Sequence, residues 1–230
     1  MRKLIRLEIK KFKLFSYLKS VGIANAAMMG MLCLIYFAEK SEGGIAFPNY
    51  EVTFELLGSI VRPVFIIFAA VLISRLIIEE YKSKSITLLF MYPIHRKKLI
   101  IAKLMIVACF TFLAIMLSTF FIGTVFYLAD SIWHFVPEAL TLGQVTGIFF
   151  DLILSAIASA GMALIPLYFG MKKKSVPTTI VSAIILVSLT NSTADDVDIY
   201  RFIAIPIALA LTGCLIAYFS FRNIEKIDVN

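Results

Sequence analysis

Apolar runs of roughly twenty residues recur along this chain, and nothing else in it restricts the fold so strongly. They occupy residues 17–38, 56–78, 104–128, 145–170, 176–192 and 202–221, with polar breaks between them. A helix of about 20 residues crosses roughly 30 Å of hydrocarbon. The expected fold class is therefore all-α, an integral membrane bundle of six transmembrane helices. The fifth run is short, but its TTIVSAIILVSL composition suits a slightly thin span. Of the 230 residues 60% are hydrophobic and the mean hydropathy is +0.93, so little chain remains for a soluble domain. A single transmembrane domain, 1–230, is expected.

The basic residues orient the bundle, because cytoplasmic loops carry the excess of Lys and Arg. With the N-terminus inside, nineteen of them fall on cytoplasmic stretches. Only Lys40, Arg62 and Arg201 fall on or near the outside. Both termini are then cytoplasmic, and the chain is a multi-pass protein of the cell membrane. The outer loops are short and mostly acidic, with Glu39, Glu42, Glu51 and Glu55 in the first, Asp130 and Glu138 in the second, and Asp195, Asp196 and Asp198 in the third. They leave no room for an outer catalytic domain. The net charge of +7 lies between apolar runs, which excludes a basic nucleic-acid-binding module. Ala24-Asn25-Ala26 looks like a signal-peptide cleavage site, yet it precedes most of its apolar run, so that segment stays as a helix.

Before the first span, RKLIRLEIKKFKLF spaces Lys3, Arg6, Lys10 and Lys13 by three or four, with Ile5, Ile9 and Phe12 on another face. The spacing predicts an amphipathic helix over 1–16 that lies among lipid headgroups at the cytoplasmic interface. A plain positive-inside anchor is the blander alternative.

Chemistry in the chain itself finds little support. Glu79-Glu80 resembles the paired glutamates of intramembrane metal proteases, but the two histidines, His95 and His134, fall on opposite sides of the bilayer. No GxSxG elbow is present, and GMKKKS at 170–175 lacks the phosphate-loop pattern. Cys33, Cys109 and Cys214 sit within apolar runs without metal-binding spacing and read as small apolar residues. No catalytic residue, metal or cofactor is expected here, and ATP-driven work would require another subunit.

Arg62 and Asp151 are ionisable residues inside spans, each six residues from its outer end and therefore about 9 Å deep. They are candidates for an intramembrane charged pair, since such residues usually face the bundle and find partners. Separate snorkelling to the outer interface is the alternative. Gly22, Ala26 and Gly30 form a small-residue stripe and a candidate subunit-packing face; Gly143 and Gly147, then Ser155, Ser159 and Ala163, form others. Pro63, Pro166 and Pro206 each free a backbone carbonyl that must be satisfied inside the bundle, and each marks an expected kink. Asn191-Ser192-Thr193 matches a glycosylation triplet, common by chance.

The break between the second and third runs, EEYKSKSITLLFMYPIHRKKLIIAKL at 79–104, is the most informative passage. A helix over about 81–92 would end before Pro93 and gather Ile86, Leu89 and Phe90 on one apolar face, which wants a partner groove or the bilayer interface. Glu80-Tyr81-Lys82, Ser85-Ile86-Thr87-Leu88-Leu89, Pro93-Ile94-His95-Arg96 and Lys103 together resemble the cytoplasmic loop of ABC transporter type 2 permeases. Lys84, Ser85 and His95 depart from the usual pattern of that loop. The resemblance implies a coupling helix within 79–103 that docks on a separate ABC ATPase dimer, which binds ATP and Mg. It implies Glu80, Ile86, Leu89, Phe90, Pro93 and Arg96 as contact residues. It further implies a second permease subunit, identical or different, and export of a peptide or other amphipathic, antimicrobial substrate. A membrane sensor or assembly component is the alternative.

Overall fold

The computed structural model describes residues 8, 16–43, 47–82, 96–133, 135–137, 141–191 and 204–222. Among them all regular structure is helical: α1 (Ser16–Ser41), α2 (Tyr50–Ile73), a π-helical turn (Ser74–Ile78) leading into the short α3 (Glu79–Lys82), α4 (Arg96–Trp133), α5 (Leu142–Met162), α6 (Pro166–Lys173), α7 (Val176–Asn191) and α8 (Ala204–Arg222). Four stretches are long and apolar enough to cross a membrane, Tyr17–Ser41, Tyr50–Lys82, Lys98–Trp133 and Gly143–Lys173; two further apolar helices, Val176–Asn191 and Ile207–Ala217, are shorter. The chain is thus a helical, multi-pass membrane protein.

Three clusters share out the core. At one end Leu72, Ile73 and Ile77 of α2 and its π turn meet Ile100 and Val107 of α4 and Leu167 of α6. Midway, Leu57, Val61 and Phe65 of α2 pack on Ile115 and Ile122 of α4 and on Ala156 of α5. The far end is aromatic, with Phe47 and Tyr50 surrounded by Tyr36, Phe126 and Phe135. Tyr36 meets Phe135 edge-on with ring centroids 4.7 Å apart, the arrangement that ring quadrupoles favour.

Local signals set several helix ends. Asn49 Oδ1 accepts a hydrogen bond from the Val52 N–H at 2.8 Å and caps α2. Gln144 Oε1 accepts from the Thr141 N–H at 3.0 Å at the start of α5. The helices begin earlier than expected, so Arg62 and Asp151 lie twelve and nine residues inside α2 and α5. At about 1.5 Å per residue this places them roughly 18 and 14 Å along their helices. Asp130, expected in an outer loop, is instead a buried residue of α4.

The prolines act differently from one another. Pro63 lies inside α2, which runs on unbroken, and the carbonyl it frees four residues back is that of Ser59. Asn191 Nδ2 donates to that carbonyl at 3.0 Å, so α7 replaces the bond that α2 cannot make. This also gives Asn191 of the glycosylation triplet a structural use. Pro166 opens α6 after a three-residue turn in which the Ile165 N–H donates to the Met162 carbonyl at 2.9 Å. The expected continuous span over 145–170 is therefore two helices. Pro206 lies within the described part of α8.

Packing faces also depart from expectation. Gly161 of α5 and Gly213 of α8 make a close helix crossing: a Cβ on Gly213 would stand 2.1 Å from the Gly161 carbonyl oxygen. By contrast, Gly22 and Gly30 have nothing within 4 Å of a Cβ, and their neighbours Ile23, Leu34 and Phe37 are exposed. The α1 stripe is therefore open in a single chain, whereas Ser159 and Ala163 of the α5 stripe are buried.

Candidate functional site

Two polar features interrupt the apolar bundle, one at each end of the α2–α4 pair. The first brackets segment 83–95, which joins α3 to α4. Lys103, seven residues into α4, is 2% exposed and directs its ammonium at Glu80 of α3, 7% exposed. Its Nζ also donates to the Leu76 carbonyl in the π turn at 2.7 Å. Oε2 of Glu8, 6% exposed, lies 3.7 Å from the same nitrogen. That oxygen accepts no hydrogen bond. Nearby, Arg75 Nη1 donates to Tyr17 Oη at 3.2 Å, and the Tyr17 ring meets Phe68 edge-on.

Glu80 is consequently not presented as an open surface carboxylate. In the single chain this residue, implied above as an ATPase contact, is buried against Lys103, which supplies a cation inside the bundle. Arg96 opens α4. Ile86, Leu89, Phe90 and Pro93 lie outside the described residues, as does the 1–16 helix apart from Glu8 and Ser16.

The second feature is a cavity of about 280 Å³ between α2, α4 and α5. Glu51 and Glu55 line it near the start of α2, with Arg62 further along that helix; Asp151 and Ser155 line it from α5, and Ile115 from α4. Arg62 is 5% exposed and its Nε donates to the Gly58 carbonyl at 2.9 Å. Gly58 has a reason to lack a side chain, since a Cβ there would stand 3.1 Å from Arg62 Nη2. Arg62 and Asp151 therefore share one cavity, as two helices with their polar residues on facing sides require. Beyond it Tyr50 Oη donates to Asp130 Oδ2 at 2.5 Å, and Asp130 Oδ1 accepts from the Val136 N–H at 2.8 Å.

Sequence reasoning missed Lys103 as a buried group, Glu8, the Tyr50–Asp130 bond and the Gly161–Gly213 crossing. A signal existed for Lys103, a cation immediately before an apolar run. None existed for Glu8, which reads as one polar residue on a basic segment. Among the described residues no group of three His, Cys, Asp or Glu side chains could hold a metal ion.

Comparison with known proteins gives a consistent result. A family model described as ABC-2 family transporter protein matches residues 4–189. The uncharacterized protein YcbO of Bacillus subtilis (strain 168) is 42% identical over 225 residues, covering 98% of this chain and 99% of that protein. No solved structure matches.

Proposed function

The chain belongs to the ABC-2 family of transporter proteins, and from that membership we propose that it is the permease subunit of an ATP-driven exporter in the plasma membrane. In this reading six spans place both termini and segment 83–95 in the cytoplasm, and the Glu51–Arg62–Asp151 cavity opens toward the outside. A separate ABC ATPase dimer binds ATP and Mg and docks on the loop through Ile86, Leu89, Phe90, Pro93 and Arg96. A second permease subunit, identical or different, completes the pathway. The substrate is a peptide or another amphipathic, antimicrobial molecule.

One observation carries the reading. The two helical stretches that flank segment 83–95, α2 with its π turn and α4, are the same ones that wall the cavity further along. From Arg62 to Glu80 is about 27 Å of helix at 1.5 Å per residue. Their shared interface is filled by buried aliphatic side chains. Packed interfaces pass displacement along rather than absorbing it. A movement imposed on the loop is thereby felt at the cavity, as alternating access requires.

The test is a mild-detergent purification of the tagged chain with its partners. A co-purifying ATPase with vanadate-sensitive turnover is expected. Replacing Leu89 and Phe90 together by Asp should remove the ATPase and leave membrane insertion intact. A chain that purifies alone, under conditions that preserve a known ABC complex, favours the sensor or assembly alternative.

A further inference from the structure

We propose that Glu8, Lys103 and Glu80 form a latch that ties the N-terminal segment to both flanks of the 83–95 loop, making Glu8 a positioning residue for the coupling movement. The inference rests on the transport reading above, although the latch itself is testable without it.

Three residues far apart in the sequence converge on one ammonium, and each is more than nine-tenths buried. The cluster brackets the loop closely. Glu80 stands three residues before residue 83, while Lys103 stands one α-helical stretch of seven residues beyond Arg96. These two side chains therefore join the two flanks of the loop to each other.

The two carboxylates do not serve Lys103 alike. Glu80 takes a hydrogen bond from the ammonium, and the Leu76 carbonyl takes another at 2.7 Å. Glu8 Oε2 stands 3.7 Å away, within Coulombic reach but without a hydrogen bond. A pair built only to hold α3 against α4 would gain little from a second buried carboxylate, whose desolvation is unfavourable. Glu8 has a use if it is the second seat for the same ammonium. When the loop shifts α3, Lys103 can turn from Glu80 to Glu8, and the N-terminal segment follows α4. Beside it the Arg75–Tyr17 contact ties the start of α1 to the π turn, so two polar links join the N-terminal part to this region.

Hydrogen exchange on the purified full chain tests the tie. Glu8→Gln, which keeps the Glu80–Lys103 pair, should speed exchange at least tenfold in the peptide containing residue 8 and leave the peptides around Leu76 and Lys103 unchanged. Lys103→Met should speed all three, and Lys103→Arg should restore slow exchange. Unchanged exchange around residue 8 in Glu8→Gln overturns the latch.

A second measurement reads the movement in the complex with its ATPase. Gly147 lines the cavity and has open space where a Cβ would go, so Gly147→Cys, with Cys33, Cys109 and Cys214 replaced by Ser, is a reporter for a membrane-impermeant maleimide. ATP should change its labelling rate, and Glu8→Gln should shrink that change at least threefold while ATP is still hydrolysed. An ATP response equal to the parent's in Glu8→Gln overturns the positioning role. A parent with no ATP response sinks the transport reading, and the exchange result decides the tie on its own.

Discussion

The two ends of the α2–α4 pair solve the same problem in opposite ways. At the loop-bearing end a charged cluster sits inside a shell of Ile and Leu, closed to water. At the other end a neutral donor, Tyr50, satisfies Asp130 among aromatic rings, and a polar cavity stays open beside them. A closed ion pair depends on both partners, because removing one leaves an uncompensated charge. A carboxylate held by a hydroxyl and an amide keeps one partner when the other goes. The loop-bearing end is therefore built to be exact in position, and the cavity end to tolerate change.

Substitutions that test this contrast should rank in a definite order. The largest effect belongs to Lys103→Met, which removes the buried cation that two buried carboxylates share and should lower stability by about 3–5 kcal/mol, read from thermal unfolding in detergent. A milder loss would mean that water reaches the cluster. Next comes a matched pair of glycine changes. Gly213→Val must push α8 away from the Gly161 carbonyl and should cost about 3 kcal/mol, whereas Gly147→Val at the cavity meets open space and should stay within about 0.5 kcal/mol. Equal effects at the two positions would erase the distinction between a packed and an open face. Below Gly213→Val comes Tyr50→Phe, where Asp130 keeps the Val136 N–H and the loss should be about 1 kcal/mol by the same melting assay. A loss as large as that of Lys103→Met would make the cavity end as brittle as its opposite.

Much of this was legible in the residues before any coordinates. Apolar runs announce helices because hydrocarbon offers the backbone no other partner, and the helices fall where the runs are. Pro63 announced a freed carbonyl, but not that Asn191, 132 residues away, would fill it. Arg62 and Asp151 were legible as a pair of unusual residues, and the structure gives them one cavity. Glu80 was legible as important, yet its partner was not, because a motif shows which residues belong together without showing which way they face. Pro166 read as a kink and is a helix start, since the preceding three residues tighten into a turn.

Hydropathy, charge distribution and the loop motif by themselves determined that this protein is a helical membrane protein of a transporter family, for these are local properties that a bilayer reads segment by segment. The tertiary structure alone decided which polar residues meet. Lys103 lies between Glu80 and Glu8, and Arg62 shares its cavity with Asp151, because helix rotation and crossing set side-chain direction and no periodicity within one segment records the face of its neighbour.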